Sequence, residues 1–482
     1  MEQVRENTLT LSLISHTNVG KTTLARTLLR KDIGESFDQA HVTDENEKHV
    51  LLEAGGKQLI LWDTPGFGDS ARLLRRLKKS GQKLTWFLAQ AWDRIADRAL
   101  WCSQQAVKNV QEEADVVLYL VNASEEPEAA GYIEIEMEIL AWIGKPVLIL
   151  LNQVGIPKGP EEEAREEREW KVHLAEFPIV KGVLSLDAFT RCWVQEQEVI
   201  ESTAKVLSGD RKHLADELAE GWWKRNYAIF EKSVGLLGKQ LFDSLADRKK
   251  VNRVGLKERF SMAKRGEFRD ELRDARKDLT ERMGKRVVET MNALIDLHGL
   301  EGETAKQLEA VSKEQFTEPE QVNETLWSAV GGAVVGAGGG LAADVASGGL
   351  SLGGGMILGG VGGGVGAYFL ARGFNLAKGS ENSVRWSLAH IREQVKLSAL
   401  SYLAVAHFGR GRGEWKDGHV PEFWGDEVDK AIESEMETIA KIWKSAADDD
   451  VPNSLATDAS DLFERLVRNV FDSLYPKSMK SS

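Results

Sequence analysis

The chain has 482 residues, a length that predicts roughly two to four domains because a single hydrophobic core stops growing well below that size. It is acidic, with a formal net charge of −13, and no basic domain is present, which argues against a nucleic-acid partner. The two cysteines, Cys102 and Cys192, are far apart in sequence and do not suggest a disulfide framework. No apolar signal segment opens the sequence, so we expect a cytoplasmic protein.

A strand, a phosphate loop and a helix are predicted in succession over residues 8–29. The leucine and β-branched run from Thr8 to Ile14 favours a buried strand, and helical spacing resumes at Leu24. Between them lies Ser15-His16-Thr17-Asn18-Val19-Gly20-Lys21-Thr22-Thr23. Phosphate loops end in Gly-Lys-Ser/Thr, as here, but they begin with a glycine where this chain has Ser15. Backbone N–H groups at a helix start, together with the lysine charge, favour phosphate binding.

A β-hairpin is predicted next, around a glycine turn at residues 53–57. Its second strand runs into Asp63-Thr64-Pro65-Gly66-Phe67-Gly68-Asp69. A carboxylate at the end of a strand, followed by a Pro-Gly turn, is typical of nucleotide-binding enzymes. Asp63 is therefore a candidate to hold Mg²⁺ through water, and the amide of Gly66 is a candidate sensor of the γ-phosphate.

The order Gly-Lys-Thr, then Asp-Thr-Pro-Gly, resembles the P-loop GTPases of the translation-factor and Ras-like class. Asn-Val-Gly-Lys-Thr is most similar to the TrmE/Era branch, and Asp-Thr-Pro-Gly-Phe-Gly-Asp to the septins. The resemblance covers about the first 200 residues and implies GTP or GDP as the ligand, with Mg²⁺.

The resemblance also implies roles for individual residues. Lys21, Thr43 and Gly66 would act on the γ-phosphate, and Thr22, Thr43 and Asp63 would hold Mg²⁺. Thr43 is chosen because it is the only threonine between Lys31 and Asp63. The remaining phosphate-site candidates are Asn18, Val19, Gly20 and Thr23.

Phe67 occupies the place where Ras-like members carry the glutamine that orients the attacking water. Phenylalanine cannot bond to that water. The chain thus resembles GTPases with a hydrophobic residue there, which implies slow hydrolysis that depends on a partner, a homodimer across the nucleotide face, or K⁺. Asn18 matches the asparagine that coordinates K⁺ in TrmE-like members. A purely loop-stabilising role for Asn18 stays open.

Apolar runs at 115–121, 146–151 and 179–184 alternate with helical segments. This pattern predicts an α/β fold with a mostly parallel six-stranded sheet and helices on both faces, and a helical insertion near residues 70–114. The G domain would span residues 1–206.

The residues expected to bind the nucleotide base depart from the family pattern. The run Asn152-Gln153-Val154-Gly155 stands where the family has Asn-Lys-x-Asp, so Asn152 and Gln153 are candidate base contacts but Gly155 supplies no carboxylate. Loss of that polar pairing weakens the case for strict guanine specificity. Ser185-Leu186-Asp187 loosely matches the family's Ser-Ala-Lys loop, and Asp187 is a candidate replacement for the missing carboxylate.

The second half is predicted to be all-helical. Residues 207–325 would form a stalk or bundle, and helices in 372–482 would pack with it. Between them, residues 326–371 form a glycine-rich apolar stretch, which we interpret as a helical hairpin. In one interpretation, this hairpin contacts the inner membrane or a protein partner only under some conditions. In the other, it is buried against the protein's own helices.

The favoured function is a slow, Mg²⁺-dependent GTPase switch that controls the helical half, as in a bacterial family that carries a C-terminal helical domain of unknown function. Two alternatives remain open. One is a ribosome-associated assembly GTPase, and the other is a pore-forming or dynamin-like membrane protein in which nucleotide binding is secondary.

Overall fold

The computed structural model describes residues 6–17, 19–30, 46–80, 97–152, 159–187, 191–251, 262–300, 374–378, 382–408, 421–447 and 451–476. The chain divides into two compact units. The first comprises Met1–Tyr227, His407–Gly413 and Leu474–Ser482, and the second comprises Ala228–Ala406 and Glu414–Ser473. The glycine-rich stretch at 326–371 lies outside the described residues.

Twelve α-helices lie in the described ranges. They are α1 Lys21–Leu29, α2 Ser70–Ser80, α3 Arg98–Glu112, α4 Tyr132–Ile143, α5 Pro160–His173, α6 Trp193–Lys205, α7 Gly209–Ala246, α8 Met262–Leu297, α9 Leu388–Ala406, α10 Glu422–Ser434, α11 Met436–Ser445 and α12 Ser454–Leu474. The strands there are β1 Thr8–Ser15, β2 Glu47–Ala54, β3 Lys57–Asp63, β4 Val116–Asn122, β5 Val147–Asn152, β6 Val180–Ser185, β7 Arg248–Lys250, β8 Phe374–Lys378 and β9 Asn382–Trp386.

The first unit is built on a sheet with six described strands in the order β2-β3-β1-β4-β5-β6. Only β2 is antiparallel, pairing with β3 through the predicted hairpin, and the other neighbours run parallel. The carboxyl ends of parallel strands meet at one edge, where the register sets Leu13 of β1 beside Asp63 and Leu151 of β5 beside Ser185. The α/β fold with a mostly parallel sheet is confirmed.

Two apolar layers cover the sheet because successive strand residues point to opposite faces. Leu118 and Leu120 of β4 belong to the layer formed with α1, α6 and the start of α7. Val117, Tyr119 and Val121 of the same strand belong to the layer formed with α2, α3, α4 and α5. A strand that is buried on both faces carries no alternation of polar residues, which explains the continuous apolar runs in the sequence.

The second unit is mostly helical, as predicted, but the all-helical assignment needs a correction. A small antiparallel sheet joins β9 to both β7 and β8. Its strands are three and five residues long and include runs such as Arg-Lys-Lys, which carry no alternating apolar pattern. Since β7 is far from β9 in the chain, the pairing depends on tertiary contact that local sequence cannot indicate.

The second unit has an aromatic core and a partly buried group of ion pairs. The ring of Phe230 lies 6.0 Å from that of Tyr402 and 6.3 Å from that of Phe471. Asp247 accepts hydrogen bonds from Arg282 and Arg286 at 2.7–3.1 Å. None of the helices in the described ranges combines the length and the apolar character needed to cross a membrane.

Candidate functional site

The phosphate loop closes on the amino-terminal end of α1. Gly20, which precedes the helix, has a φ of 89°, a left-handed conformation that favours glycine. Lys21 is 7% exposed, and its Nζ donates a hydrogen bond to Oγ of Ser15 at 2.9 Å. The serine that replaces the usual first glycine therefore serves as the acceptor for the loop lysine.

Thr22 and Asp63 come together at the adjoining ends of β3 and α1. Oγ1 of Thr22 donates a hydrogen bond to Oδ2 of Asp63 at 2.6 Å, and the side chain of Asp63 is fully buried. Its second oxygen, Oδ1, is buried without a partner in the described part of the chain. A hydroxyl and a carboxylate with a free oxygen are hard oxygen ligands, so these residues fit Mg²⁺, which takes few protein ligands and completes its shell with water and phosphate.

Burial shifts the pKa of both charged groups. Burial lowers the pKa of Lys21, an effect that the charges of Asp63 and Glu136 partly offset. Burial raises the pKa of Asp63, and the hydrogen bond from Thr22 acts in the opposite direction. An anionic ligand beside the lysine and a cation beside the aspartate would each favour the charged form, so the pair is suited to a metal–phosphate complex.

Gly66 packs directly against the phosphate loop. A Cβ at this position would lie 3.0 Å from Cα of Thr17, 3.1 Å from Nζ of Lys21 and 3.2 Å from the carbonyl oxygen of His16. A side chain at this position would force its neighbours to shift by a few tenths of an ångström, so a glycine suits the close approach of the Asp-Thr-Pro-Gly turn to the lysine. The structure thus brings Lys21, Thr22, Asp63 and Gly66 into one cluster.

The residues chosen for base recognition lie at the ends of β5 and β6. Nδ2 of Asn152, which is fully buried, donates to the carbonyl oxygen of Val19 at 2.7 Å and so ties β5 to the phosphate loop. The amide of Leu186 donates to the Leu151 carbonyl at 3.1 Å, which sets the two strand ends side by side.

Behind these strand ends, the backbone N–H of Ser185 donates to Oε1 of Glu167 at 2.9 Å. Oγ of Ser185 is buried without a hydrogen-bond partner among the described residues. Asp187 is 5% exposed. Asn152, Ser185, Leu186 and Asp187 therefore share one edge of the sheet.

Other predicted site residues are placed differently. Thr23 lies in the first turn of α1 and is half-buried. Asn18, Thr43, Gln153 and Gly155 fall outside the described residues. Within the described ranges, no group of three or more His, Cys, Asp or Glu side chains could hold a metal ion.

The sequence-based prediction missed a polar cluster beside the phosphate loop. Nδ1 of His16 lies 2.7 Å from Oε1 of Glu136, and the Tyr119 hydroxyl donates to Oε2 of the same carboxyl group. Glu136 is fully buried on α4, one turn after Ile133 and one residue before Met137, both buried. A carboxylate on the apolar stripe of a helix is the sequence signal that could have indicated this cluster.

Two family models match the chain. Residues 10–153 match the family described as "50S ribosome-binding GTPase", and residues 176–412 match a domain of unknown function, DUF3482. The first match contains the phosphate loop, Asp63 and the turn to Gly66. Residues 10–153 form a P-loop GTPase domain, and a separate second domain follows it. No curated protein matches the chain.

Solved structures with a similar fold include two of Era. One shows Era with MgGDPNP and a segment of 16S ribosomal RNA, at 19% identity and a TM-score of 0.31, and covers 42% of this chain and 58% of that one. The other shows an Aquifex aeolicus Era variant bound to GDP and AlF₄⁻, at 22% identity, a TM-score of 0.30 and the same coverage. A variant of SsGBP matches at 15% identity and a TM-score of 0.23 over 38% of this chain and 50% of that one. The chain thus spans less than two thirds of these proteins.

Proposed function

We propose that the P-loop GTPase domain of residues 10–153 binds GTP with Mg²⁺, hydrolyses it slowly and acts as a switch for the helical second half of the chain. The observation that carries this proposal is the convergence of Lys21, Thr22, Asp63 and Gly66. In this proposal the lysine neutralises phosphate charge and the glycine amide bonds the γ-phosphate.

Mg²⁺ would be held by Oγ1 of Thr22 and, through water, by the carboxylate of Asp63. When bound, the ion would supply positive charge that offsets the negative charge developing on the phosphates during hydrolysis. The hydrogen bond from Thr22 to Asp63 holds the two candidate metal ligands beside each other. Thr43 would complete the metal site in the GTP state.

Calorimetric binding of GDP, GTP, ADP and ATP, with and without Mg²⁺, tests the proposal. Lys21→Ala should abolish triphosphate binding, because it removes the buried ammonium group that would neutralise phosphate charge. Lys212→Ala is the matched control, since this exposed lysine pairs with Asp216 on α7 and should change nothing. Equal nucleotide binding by the Lys21→Ala protein would refute the assignment of the phosphate site.

Asp187 is proposed to supply the carboxylate that Gly155 lacks. Its burial at the end of β6, on the same edge as Asn152, supports this role. Asp187→Ala should reduce the preference for GTP over ATP by about tenfold or more, because an unpaired guanine N–H costs a buried polar contact. Asp210→Ala, at the other end of the first unit's sheet, is the control. An unchanged preference would show that Asp187 does not read the base.

Slow turnover is proposed because Phe67 cannot orient water. Addition of K⁺ in place of Na⁺ tests whether Asn18 recruits that ion, and the dependence of the rate on protein concentration tests for a homodimer across the nucleotide face. A rate that is fast in Na⁺ and independent of concentration would contradict the proposal.

Control of the second half is proposed to work through the nucleotide state. Hydrogen exchange of peptides from α8 to α12, compared between GDP and a non-hydrolysable GTP analogue, tests this. Conditional binding of residues 326–371 to anionic vesicles should appear only in one nucleotide state. Identical exchange in both states would remove the switch from the proposal, and vesicle leakage that survives Lys21→Ala would favour a membrane-active protein.

A second candidate, a ribosome-associated GTPase, is favoured by the description of the family model that residues 10–153 match. The net charge of −13 opposes it, because RNA binding is largely electrostatic. Co-sedimentation with ribosomal subunits only in the GTP state would support it, and absence of co-sedimentation in both states would exclude it.

A further inference from the structure

Ser15 is the last residue of β1 and the first residue of the phosphate loop. It is fully buried, and it stands at the position where phosphate loops usually begin with glycine. Both its side chain and its backbone make hydrogen bonds inside the candidate site. This chain therefore places a hydroxyl group where the usual loop has no side chain.

The hydroxyl group of Ser15 holds the loop lysine. Nζ of Lys21 donates to Oγ of Ser15 at 2.9 Å, and the lysine is 7% exposed. The Ser15 hydroxyl donates its own proton to the carbonyl oxygen of His16. Because a carbonyl oxygen only accepts, that proton points away from the lysine, and a lone pair of Oγ faces the ammonium group.

The ammonium group of Lys21 keeps donors for a ligand. A lysine has three N–H donors. In the part of the chain that the structure describes, Oγ of Ser15 is the one hydrogen-bond acceptor of Nζ. Phosphate oxygens would accept from the remaining donors, so the hydrogen bond to Ser15 can persist when phosphate binds.

The backbone of Ser15 holds the turn on the other side of the lysine. Its carbonyl oxygen accepts a hydrogen bond from the N–H of Phe67 at 3.0 Å. Phe67 directly follows Gly66, where an added Cβ would lie 3.1 Å from Nζ of Lys21. Ser15 therefore contacts both the lysine and the turn that carries the proposed γ-phosphate sensor.

We propose that Ser15 is a positioning residue whose hydroxyl group orders the ammonium group of Lys21 before phosphate binds. This inference rests on the proposed GTP-binding function. An unrestrained lysine side chain loses rotamer freedom when it contacts a ligand, and this loss of entropy weakens binding. The hydrogen bond to Ser15 restricts the lysine in advance, so the usual glycine cannot take over the role of this serine.

Ser15→Gly and Ser15→Ala both remove the hydroxyl group and test the proposal. We expect each to weaken the binding of GDP and of a non-hydrolysable GTP analogue by about tenfold, because the lysine must then be ordered on binding. The single-turnover rate at saturating GTP should stay within about threefold of wild type, since the lost contribution is common to the bound state and the transition state. Calorimetry gives the affinities, and rapid-quench kinetics give the rate.

Ser12→Ala is the matched control on the same strand. Ser12 is also fully buried, and its Oγ donates to Oδ1 of Asn109 at 2.6 Å. This variant therefore deletes a buried hydroxyl group without removing the acceptor of Lys21. Its nucleotide affinities should equal those of wild type, although its urea unfolding midpoint should fall.

A double-mutant cycle in the nucleotide-free protein tests the hydrogen bond itself. Urea unfolding is measured for Ser15→Ala, for Lys21→Ala and for the two combined. Both substitutions remove the same contact, so their effects on the unfolding midpoint should not add. The effects of Ser12→Ala and Lys21→Ala should add, because these residues share no hydrogen bond.

Wild-type nucleotide affinity in folded Ser15→Gly would overturn the assignment and leave the proposed GTPase function intact. If Ser15→Gly does not fold, Ser15→Ala, which keeps the Cβ, gives the same comparison. Additive effects of Ser15→Ala and Lys21→Ala, a saturated rate that falls as much as the affinity, or an equal loss of affinity in Ser12→Ala would each overturn the positioning role. A wild-type protein that binds no nucleotide would overturn the proposed function, whereas the unfolding cycle would still test the hydrogen bond.

Discussion

Gly238 on α7 is a site where a single methyl group should destabilise the second unit. A Cβ built there would lie 2.6 Å from the backbone nitrogen of Ser460 and 2.7 Å from its Cα, and it would also meet Oγ of that residue. These are mostly backbone atoms of α12, which cannot rotate away. Gly235, one turn earlier on the same helix, has nothing within 4 Å of its own built Cβ. Gly235→Ala is therefore the matched control for Gly238→Ala.

The two substitutions gain the same helix propensity and differ in packing. To bring the nearest backbone contact from 2.6 Å to the ordinary 3.4 Å, α7 and α12 must separate by about 0.8 Å at Gly238. Overpacking of this kind costs about 3 kcal/mol, against about 1 kcal/mol gained by replacing a helical glycine. We therefore expect Gly238→Ala to destabilise by about 2 kcal/mol and Gly235→Ala to stabilise by about 1 kcal/mol.

Urea unfolding followed by far-ultraviolet circular dichroism measures the free energy of unfolding of both variants. Hydrogen exchange of peptides from α7 and α12 locates the change, and it should be confined to the second unit for Gly238→Ala. Ser460→Gly should not rescue Gly238→Ala, because the nearest backbone atoms remain. Equal stability of the two alanine variants, or full rescue by Ser460→Gly, would refute the packing argument.

Three further predictions concern buried polar and aromatic groups. Asn152→Ala should cost the nucleotide-free protein about 1–3 kcal/mol in thermal unfolding, because the Val19 carbonyl loses a buried donor; unchanged stability would contradict this. Phe67→Gln should destabilise by about 3 kcal/mol or more without faster hydrolysis, since the side chain faces the core; a faster, equally stable variant would contradict its burial. Burial lowers the pKa of His390 to about 4 from 6.5, so the folded state binds fewer protons and stability falls as pH drops from 6.5 towards 4. About 2 kcal/mol should be lost at pH 5 in urea unfolding, and a His390→Leu variant should lack this component.

Local sequence determined the architecture of the first unit. A strand that is buried on both faces is continuously apolar. The apolar runs that end at Ile14, Val121 and Leu151 therefore indicated a parallel sheet covered on both faces. The Gly-Lys-Thr loop comes after the end of β1, and Asp63 is the last residue of β3. Because parallel strands share one carboxyl edge, the phosphate and metal candidates were predictable as neighbours.

Contacts between residues far apart in sequence decided the features that the sequence did not indicate. The anchoring of His16 needs Glu136, which is distant in sequence, and Tyr119 on a different element, so no window of sequence contains the cluster. The sheet of β7, β8 and β9 escaped prediction for the same reason, since its strands are too short to carry a period.

The sequence by itself determined that the first unit contains a phosphate loop and a candidate metal-binding carboxylate, because each of these features lies in a short run of consecutive residues. Only the tertiary structure decided which way the side chains beside that loop face. Phe67 turns into the apolar layer, and His16 is half-buried against a buried carboxyl group. These directions depend on the free energy of packing several elements together, which a single stretch of sequence does not carry.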